Sequence, residues 1–443
     1  MHVSKAIRAQ LLKPAKTAAL LVLLTPLLAR AQISLSTAVD LAQKNSTAVR
    51  SAVANVQKAA SGVTETRDAY IPTFLVGSSV GYAYGFPLGY PSFFTASSQS
   101  LVLSWSQRDY IRAARVALEG ARLSLKDQQQ QVALDTSLAY IQLDYDLEAS
   151  AALDQENSHA ATLVSIEKDR VEAGVDPRTA ELQAELTAAQ ADLKRIQFQN
   201  DADAMRQKLA HLTGLPALGL TTVSSSIPAP PPADSFAAIT DQSAPSDPGV
   251  AAAFANAKSR LFTAFGDARQ NYRPLASFGA QYALFEKTPG YTEYFPHFQY
   301  NNVELGVQVT FPLFDATRRA KARESAADAV HAQADADAAL NVLTEQRSGM
   351  EHSIRELAAQ QHVAEIQSEL AQEQLKTVET ELTSGSGTPG AQPATPREAE
   401  QAHIEERERY SDVLETNFSL MKAELSLLRA TGQIENWVRS SLK

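Results

Sequence analysis

Four stretches of this chain alternate between apolar and polar side chains, and they come in two pairs. From Phe74 the even positions run Phe74, Val76, Ser78, Val80, Tyr82, Tyr84 and Phe86, while the odd ones are Leu75, Gly77, Ser79, Gly81, Ala83 and Gly85. The next stretch sets Leu101, Leu103 and Trp105 against Ser100 and Ser104. In the second pair Phe278, Tyr282 and Leu284 oppose Ser277, Gly279, Gln281 and Ala283. The last is the cleanest: Val303, Leu305, Val307, Val309, Phe311 and Leu313 against Asn302, Glu304, Gly306, Gln308 and Thr310. A period of two predicts β-strands, at about 73–86, 99–106, 275–285 and 302–314. Loops 86–98 and 286–301, carrying Phe93, Phe94, Tyr291 and Tyr294, are expected to face outward.

Between and after the strands the period changes to that of helices. A proline-free stretch from about Arg108 to Ala173 has a counterpart from about Asp315 to Ser384. Roughly 65 residues at a rise of 1.5 Å make a rod of about 100 Å, so each serves reach rather than a compact core. Val49, Val53, Val56, Ala60 and Val63 recur at steps of four and three, as do Leu182, Leu186, Ala189, Leu193 and Ile196. Such narrow seams pack helices side by side into bundles or a cylinder wall. Ala173-Gly174-Val175-Asp176-Pro177 reads as a hairpin tip, with glycine to end one helix, aspartate to cap the next and proline in its first turn. The second copy has a looser, Gly/Pro-rich equivalent at 384–396.

The unit is thus written twice, and its ends agree. Asp68-Ala69-Tyr70-Ile71-Pro72 enters the first strand pair and Gln270-Asn271-Tyr272-Arg273-Pro274 the second. Thr213-Gly214 closes one copy and Thr431-Gly432 the other. The division is a first repeat at 32–216, a proline-rich linker at 217–249, a second repeat at 250–432 and a tail at 433–443.

A strand face of glycine, serine, glutamine and asparagine with almost no charge suits a water-filled lumen, and strands of about ten residues with aromatics near their ends are those of membrane β-barrels. Trp105, Tyr82, Tyr84 and Tyr282 then serve as interfacial anchors. A half-buried antiparallel sheet on a helix has the same period. Four strands cannot close a membrane barrel, since open edges are not tolerated in lipid and the smallest barrels have about eight. The chain must therefore oligomerise, and two, three or four copies all supply enough strands.

Composition adds the compartment. Lys5, Arg8, Lys13 and Lys16 precede an apolar run at 18–28, and Ala29-Arg30-Ala31 fits a small-x-small cleavage rule. This is a secretory signal peptide, residues 1–31, with cleavage expected between Ala31 and Gln32. Its removal takes five cations and no acid, moving the formal charge from -10 to -15. An acidic chain of this kind is a poor partner for nucleic acid. With no cysteine there is no disulfide framework and no lipidated cysteine. No enzyme is expected, and no cofactor or metal: the histidines lack ligand spacing, and Gly385-Ser386-Gly387-Thr388-Pro389-Gly390 lacks the Lys-Ser/Thr of a phosphate loop.

Several motifs, in order, carry a family resemblance. Val309-Thr310-Phe311-Pro312-Leu313-Phe314-Asp315 is similar to a strand that ends in a hydrophobic-Pro-Leu-Phe-Asp step into a long helix. With Gly174 followed by Glu181-Leu182-Gln183-Ala184, Leu212-Thr213-Gly214-Leu215-Pro216 and Ala430-Thr431-Gly432, it resembles the TolC-like outer membrane efflux protein family over essentially the whole mature sequence.

The resemblance implies a mainly α fold with a small β part: two tandem repeats of long coiled-coil-like helices plus four β-strands per chain. As a homotrimer these form a 12-stranded transmembrane β-barrel in the outer membrane bilayer, continued by a periplasmic α-helical barrel. Helices 36–69 and 250–271 complete the wall. The implied function is a channel-tunnel giving passive exit to small molecules or proteins, as the outer component of a tripartite efflux or type I secretion system. Its partners are a periplasmic adaptor and an inner-membrane transporter. Ungapped alignment back from Gly432 places Glu398-Ala399-Glu400-Gln401-Ala402 on the family's acidic entrance pattern, so Glu398 and Glu400 are candidates for a carboxylate ring and Gly174 and Val175 for the adaptor-docking tip. A solvated helix face with internal ion pairs is the other reading of 397–409. A secreted, non-channel coiled-coil assembly is the alternative for the whole chain.

Overall fold

In the computed structural model, residues 31–79, 92–231, 247–285, 296–297, 299–384 and 394–440 are described. The elements are β1 (Ala31–Ile33), α1 (Leu35–Asn45), α2 (Thr47–Asp68), β2 (Thr73–Ser78), β3 (Ser92–Ser104), α3 (Trp105–Glu172), α4 (Arg178–Thr213), β4 (Leu220–Thr222), a 3-10 turn (Ser224–Ser226), α5 (Pro248–Gln270), β5 (Leu275–Phe285), β6 (Asn301–Thr310), α6 (Ala316–Ser384), α7 (Pro396–Ala430) and α8 (Ile434–Ser440).

The two long helices, α3 with 68 residues and α6 with 69, set the frame. Shorter helices lie along them. α2 and α5 pack on α3, α5 also packs on α6, and each long helix is folded back on by its hairpin mate, α4 or α7. The close approach of α3 and α5 is built on small residues. A Cβ at Gly266 would meet the Tyr110 ring at 2.5 Å, and one at Gly120 would meet Ala255 Cβ at 3.3 Å.

Hairpin and repeat ends use left-handed glycines. Gly174 (φ 73°) follows α3, and the amides of Val175 and Gly174 donate back to the carbonyls of Arg170 and Val171. Gly432 (φ 75°) follows α7 in the same way, with Gln433 and Gly432 bonded to Leu428 and Arg429. An L side chain rarely adopts this backbone, so glycine is the residue that lets the last carbonyls find donors.

The thickest core forms a belt around the middle of α3. Tyr140, Leu143, Leu209, Leu220, Leu425 and Leu427 are all fully buried there. Within the belt β1 pairs in parallel with β4, Ala31 opposite Leu220 and Ile33 opposite Thr222. The Tyr140 hydroxyl joins them, donating to the Ile33 carbonyl at 2.7 Å and accepting from the Val223 amide at 2.7 Å. One side chain thus fills the core and satisfies backbone groups that the short strands leave open.

Several boundaries differ from the sequence reading. The stretch expected as one helix at 36–69 breaks at Ser46, whose extended ψ of 132° and side-chain bond to the Ala48 amide start α2 afresh. The second strand begins at Ser92 rather than 99, so Phe93 and Phe94 belong to a strand and not to a loop. It ends at Ser104, because the Ser104 hydroxyl caps α3 by accepting from the Gln107 amide at 3.1 Å, and Trp105 is the first helical residue. The last strand stops at Thr310, short of the expected 314, since Pro312 has no N–H for a ladder. The expected linker contributes β4, and the expected tail forms α8, which buries Ile434, Trp437 and Val438 against the belt. The continuation of the first strand, much of the loop at 286–301, residues 385–393 of the second tip and residues 1–30 lie outside the described residues.

Candidate functional site

One end of the rod carries a four-stranded antiparallel sheet in the order β2-β3-β5-β6. Registry defines its faces. Leu75 pairs with Ser97, Ser97 with Gln281 and Gln281 with Glu304, a row on the polar face. The adjoining row on the opposite face is Val76, Ala96, Tyr282 and Val303. The polar face continues through Thr73, Gln99, Gly279, Gly306 and Gln308, and the apolar face through Phe74, Phe278, Leu305 and Val307.

The β3 alternation read from sequence is corrected by a bulge between Leu101 and Leu103. One extra residue, Val102, puts Leu101 opposite Ser277 on the polar face and Leu103 opposite Ala276 on the other. Leu101 and Leu103 therefore do not share a side, and Ser98 and Ser100 lie on the apolar one.

The sheet has two open edges, β2 and β6. Every residue of β6 is exposed, with Val303 at 73% and Leu305 at 75%. Among the described residues no helix is long and apolar enough to cross a membrane.

Below the sheet, the hairpins show a second exposed apolar surface. The buried residues of α4 are Ala184, Ala191 and Ala202, followed at its belt end by Leu209 and Thr213. The leucine seam anticipated from sequence points elsewhere: Leu182, Leu186, Leu193 and Ile196 are all exposed. α6 repeats this division. Ala329, Ala336 and Leu343 recur every seven residues on its buried side, as do Ala364 and Ala371, while Val330, Val363, Ile366 and Leu370 are exposed.

At the far end lie the tips. Gly174 and Val175 are exposed there, with open space around the glycine. Asp176, expected to cap α4, instead accepts from Arg170 Nε at 2.6 Å and lies 3.6 Å from Arg397 Nη1. Pro177 occupies the cap position without a side-chain bond. Arg397 also pairs with Glu167 at 2.8 Å, joining the two hairpins.

Glu398 and Glu400 have local partners. Glu398 forms a capping box with Thr395, whose backbone N–H donates to its carboxylate at 2.7 Å; that bond holds its pKa below the ordinary carboxylate value. Glu400 Oε2 lies 2.7 Å from His159 Nδ1 on α3. The His159 ring stacks on His403 with centroids 4.2 Å apart, and His403 Nε2 lies 3.5 Å from Glu379. Sequence reading passed over these histidines as scattered, because 244 positions separate two rings that the helix packing stacks face to face. Among the described residues no group of histidines and acids is arranged to hold a metal ion. The expected cleavage point between Ala31 and Gln32 falls at the start of β1.

No curated protein matches the chain by sequence. The sequence of residues 38–215 does match the family described as outer membrane efflux protein. Among solved structures, the Campylobacter jejuni CmeC outer membrane channel superposes with a TM-score of 0.71 at 13% identity, over 90% of this chain and 85% of that one. The outer membrane protein VceC from Vibrio cholerae gives 0.69 at 15% identity, over 90% of this chain and 96% of that one. The outer-membrane channel OprN gives 0.70 at 15%, over 91% and 90%. The first repeat thus matches the outer membrane efflux protein family by sequence, and the described chain shares the fold of these outer membrane channels.

Proposed function

We propose that this chain is the outer-membrane duct of a tripartite export system, acting as a homotrimer and doing no chemistry of its own. The observation that carries the reading is the four-stranded sheet with one apolar face, one polar face and two unpaired edges. Unpaired backbone groups cannot face lipid. Three copies joined β6 to β2 remove every edge and give twelve strands, with the apolar face in the bilayer and the polar face around water. The same association covers the exposed seams of α4 and α6, so the sheet and the helices call for the same closure. The helical barrel then extends about 100 Å from the membrane into the periplasm. Its tips, at Gly174 and Val175 and at 384–396, are the surfaces offered to a periplasmic adaptor and through it to an inner-membrane transporter. Glu398 and Glu400 are the acids placed beside the second tip, where the tunnel would narrow.

Reconstitution of detergent-extracted mature protein into planar bilayers, with its mass measured in parallel, tests this. Discrete conductance from a three-chain particle is expected. Release of the protein from membranes by alkali, or a non-conducting particle that needs no detergent, would replace the duct with a secreted coiled-coil assembly. Leu186→Asp combined with Leu193→Asp should leave the protomer folded and abolish the trimer.

A further inference from the structure

The strands β2, β3, β5 and β6 hold a single charged side chain, Glu304. It stands on the polar face beside Gln281, in a shallow groove it shares with Ser97, Gln99, Gly306 and Gln308. The carboxylate is exposed and forms no ion pair with any described residue. We propose that Glu304 is the charge-selectivity determinant of the barrel lumen, favouring cations over anions in the outer part of the duct.

The inference rests on the barrel reading above and goes beyond it. Glu304 is the fourth residue of β6, counted from the end away from the helices, so its level lies in the outer half of the sheet. Twelve strands spaced about 4.8 Å apart and tilted about 40° close at a backbone diameter of roughly 24 Å. Side chains narrow that further. Three carboxylates on one ring then lie within about one Debye length of the axis at physiological salt, so their fields overlap across the water they enclose. The rest of the ring is neutral, with leucine, serine and glutamine in the same row and no cation to cancel the charge. At the far end, by contrast, Glu398 is bonded to Thr395 and Glu400 to His159, so those acids are partly spent on holding helices.

Reversal potentials of the full mature trimer in a salt gradient of KCl test this, using wild type, E304Q and E304K. The expected result is a fall in the K⁺/Cl⁻ permeability ratio of about threefold in E304Q and anion preference in E304K. Because the chain has no cysteine, E304C gives one addressable thiol per protomer. Its thiolate attacks the sulfenyl sulfur of a methanethiosulfonate, forming a mixed disulfide and releasing methanesulfinate. A sulfonate-bearing reagent should restore cation preference and a trimethylammonium-bearing one should reverse it. Conducting variants with an unshifted ratio, or a thiol that water-soluble reagents cannot reach, would overturn the role of Glu304 while leaving the barrel intact. Trimers of wild type that never conduct would instead overturn the barrel reading and the selectivity role with it.

Discussion

The belt and the two ends of this molecule use the same residue types to opposite purpose. In the belt, Tyr140 and Leu427 are fully buried by their own chain; on α4 and β6, Leu186 is 57% and Leu305 75% exposed. A leucine on the surface is ordinary when isolated, but rows of them along two helices and a strand are not. The difference separates the apolar surface that one chain covers itself from the apolar surface that it leaves exposed. The belt is where a protomer folds, while the sheet and hairpins are the surfaces that, in the proposed duct, lipid and further copies would complete.

Substitutions can break or sharpen that contrast. Tyr140→Ala should cost about 3–5 kcal/mol in protomer unfolding, because it empties a packed site and strips the hydroxyl bonded to Ile33 and Val223. Tyr140→Phe separates the two losses and should cost about 1–2 kcal/mol. Denaturant titration of the detergent-solubilised protein reads both. If either left the midpoint unchanged, the belt would not be the folding core.

Leu305→Arg should cost about 2–4 kcal/mol when the apolar face enters a bilayer. Gln281→Arg, on the opposite face, should insert normally. Folding yield into lipid vesicles compares them, and equal yields would mean that the two faces have been assigned wrongly.

The belt also holds a buried carboxyl. Glu424 is 4% exposed, and burial alone raises its pKa from 4.5 to about 7. Its folded value exceeds the unfolded one, so the native state holds the proton more tightly between these values. Stability from this group is full below pH 4.5 and is lost as pH rises through about 7. Asp146, pushed up to about 6 by burial, adds a dependence of the same sign. Glu424→Gln should raise stability at pH 8 by about 2–3 kcal/mol and flatten the curve below it. A variant with the wild-type pH dependence would remove Glu424 as its source.

The smallest effect is expected at the second tip. Thr395→Ala removes the hydroxyl that caps α7 and should loosen its first turn by about 1 kcal/mol. Amide hydrogen exchange at Glu398 and Ala399 should quicken while the belt is unaffected; protection lost in both regions would show that tip and belt fold together.

Much of the architecture was legible because its signals are local. Period two in β5 and β6 gives both the strand and its faces, and Gly174, Gly214 and Gly432 mark helix ends that need a left-handed residue. Where the reading went astray, a single residue had altered a local rule. The bulge at Val102 reverses the alternation of β3, and Ser46 interrupts a helix whose apolar period runs straight through it. Asp176 is a good cap by type, yet Arg170 and Arg397 claim its carboxylate. The candidate acids Glu398 and Glu400 were found by position along the chain, but their partners Thr395 and His159 were not, since the second lies on another helix 241 positions away.

The sequence by itself determined the two repeats, the long helices and the alternating strands. Those follow from periodicity and backbone chemistry. Only the tertiary structure decided which seams are filled within the protomer and which are left exposed. It also decided that α8 closes the belt and that Glu304 shares a row with Gln281, Ser97 and Leu75. A helical period names an apolar face without naming what covers it, because several helices offer similar seams and only their packing chooses among them.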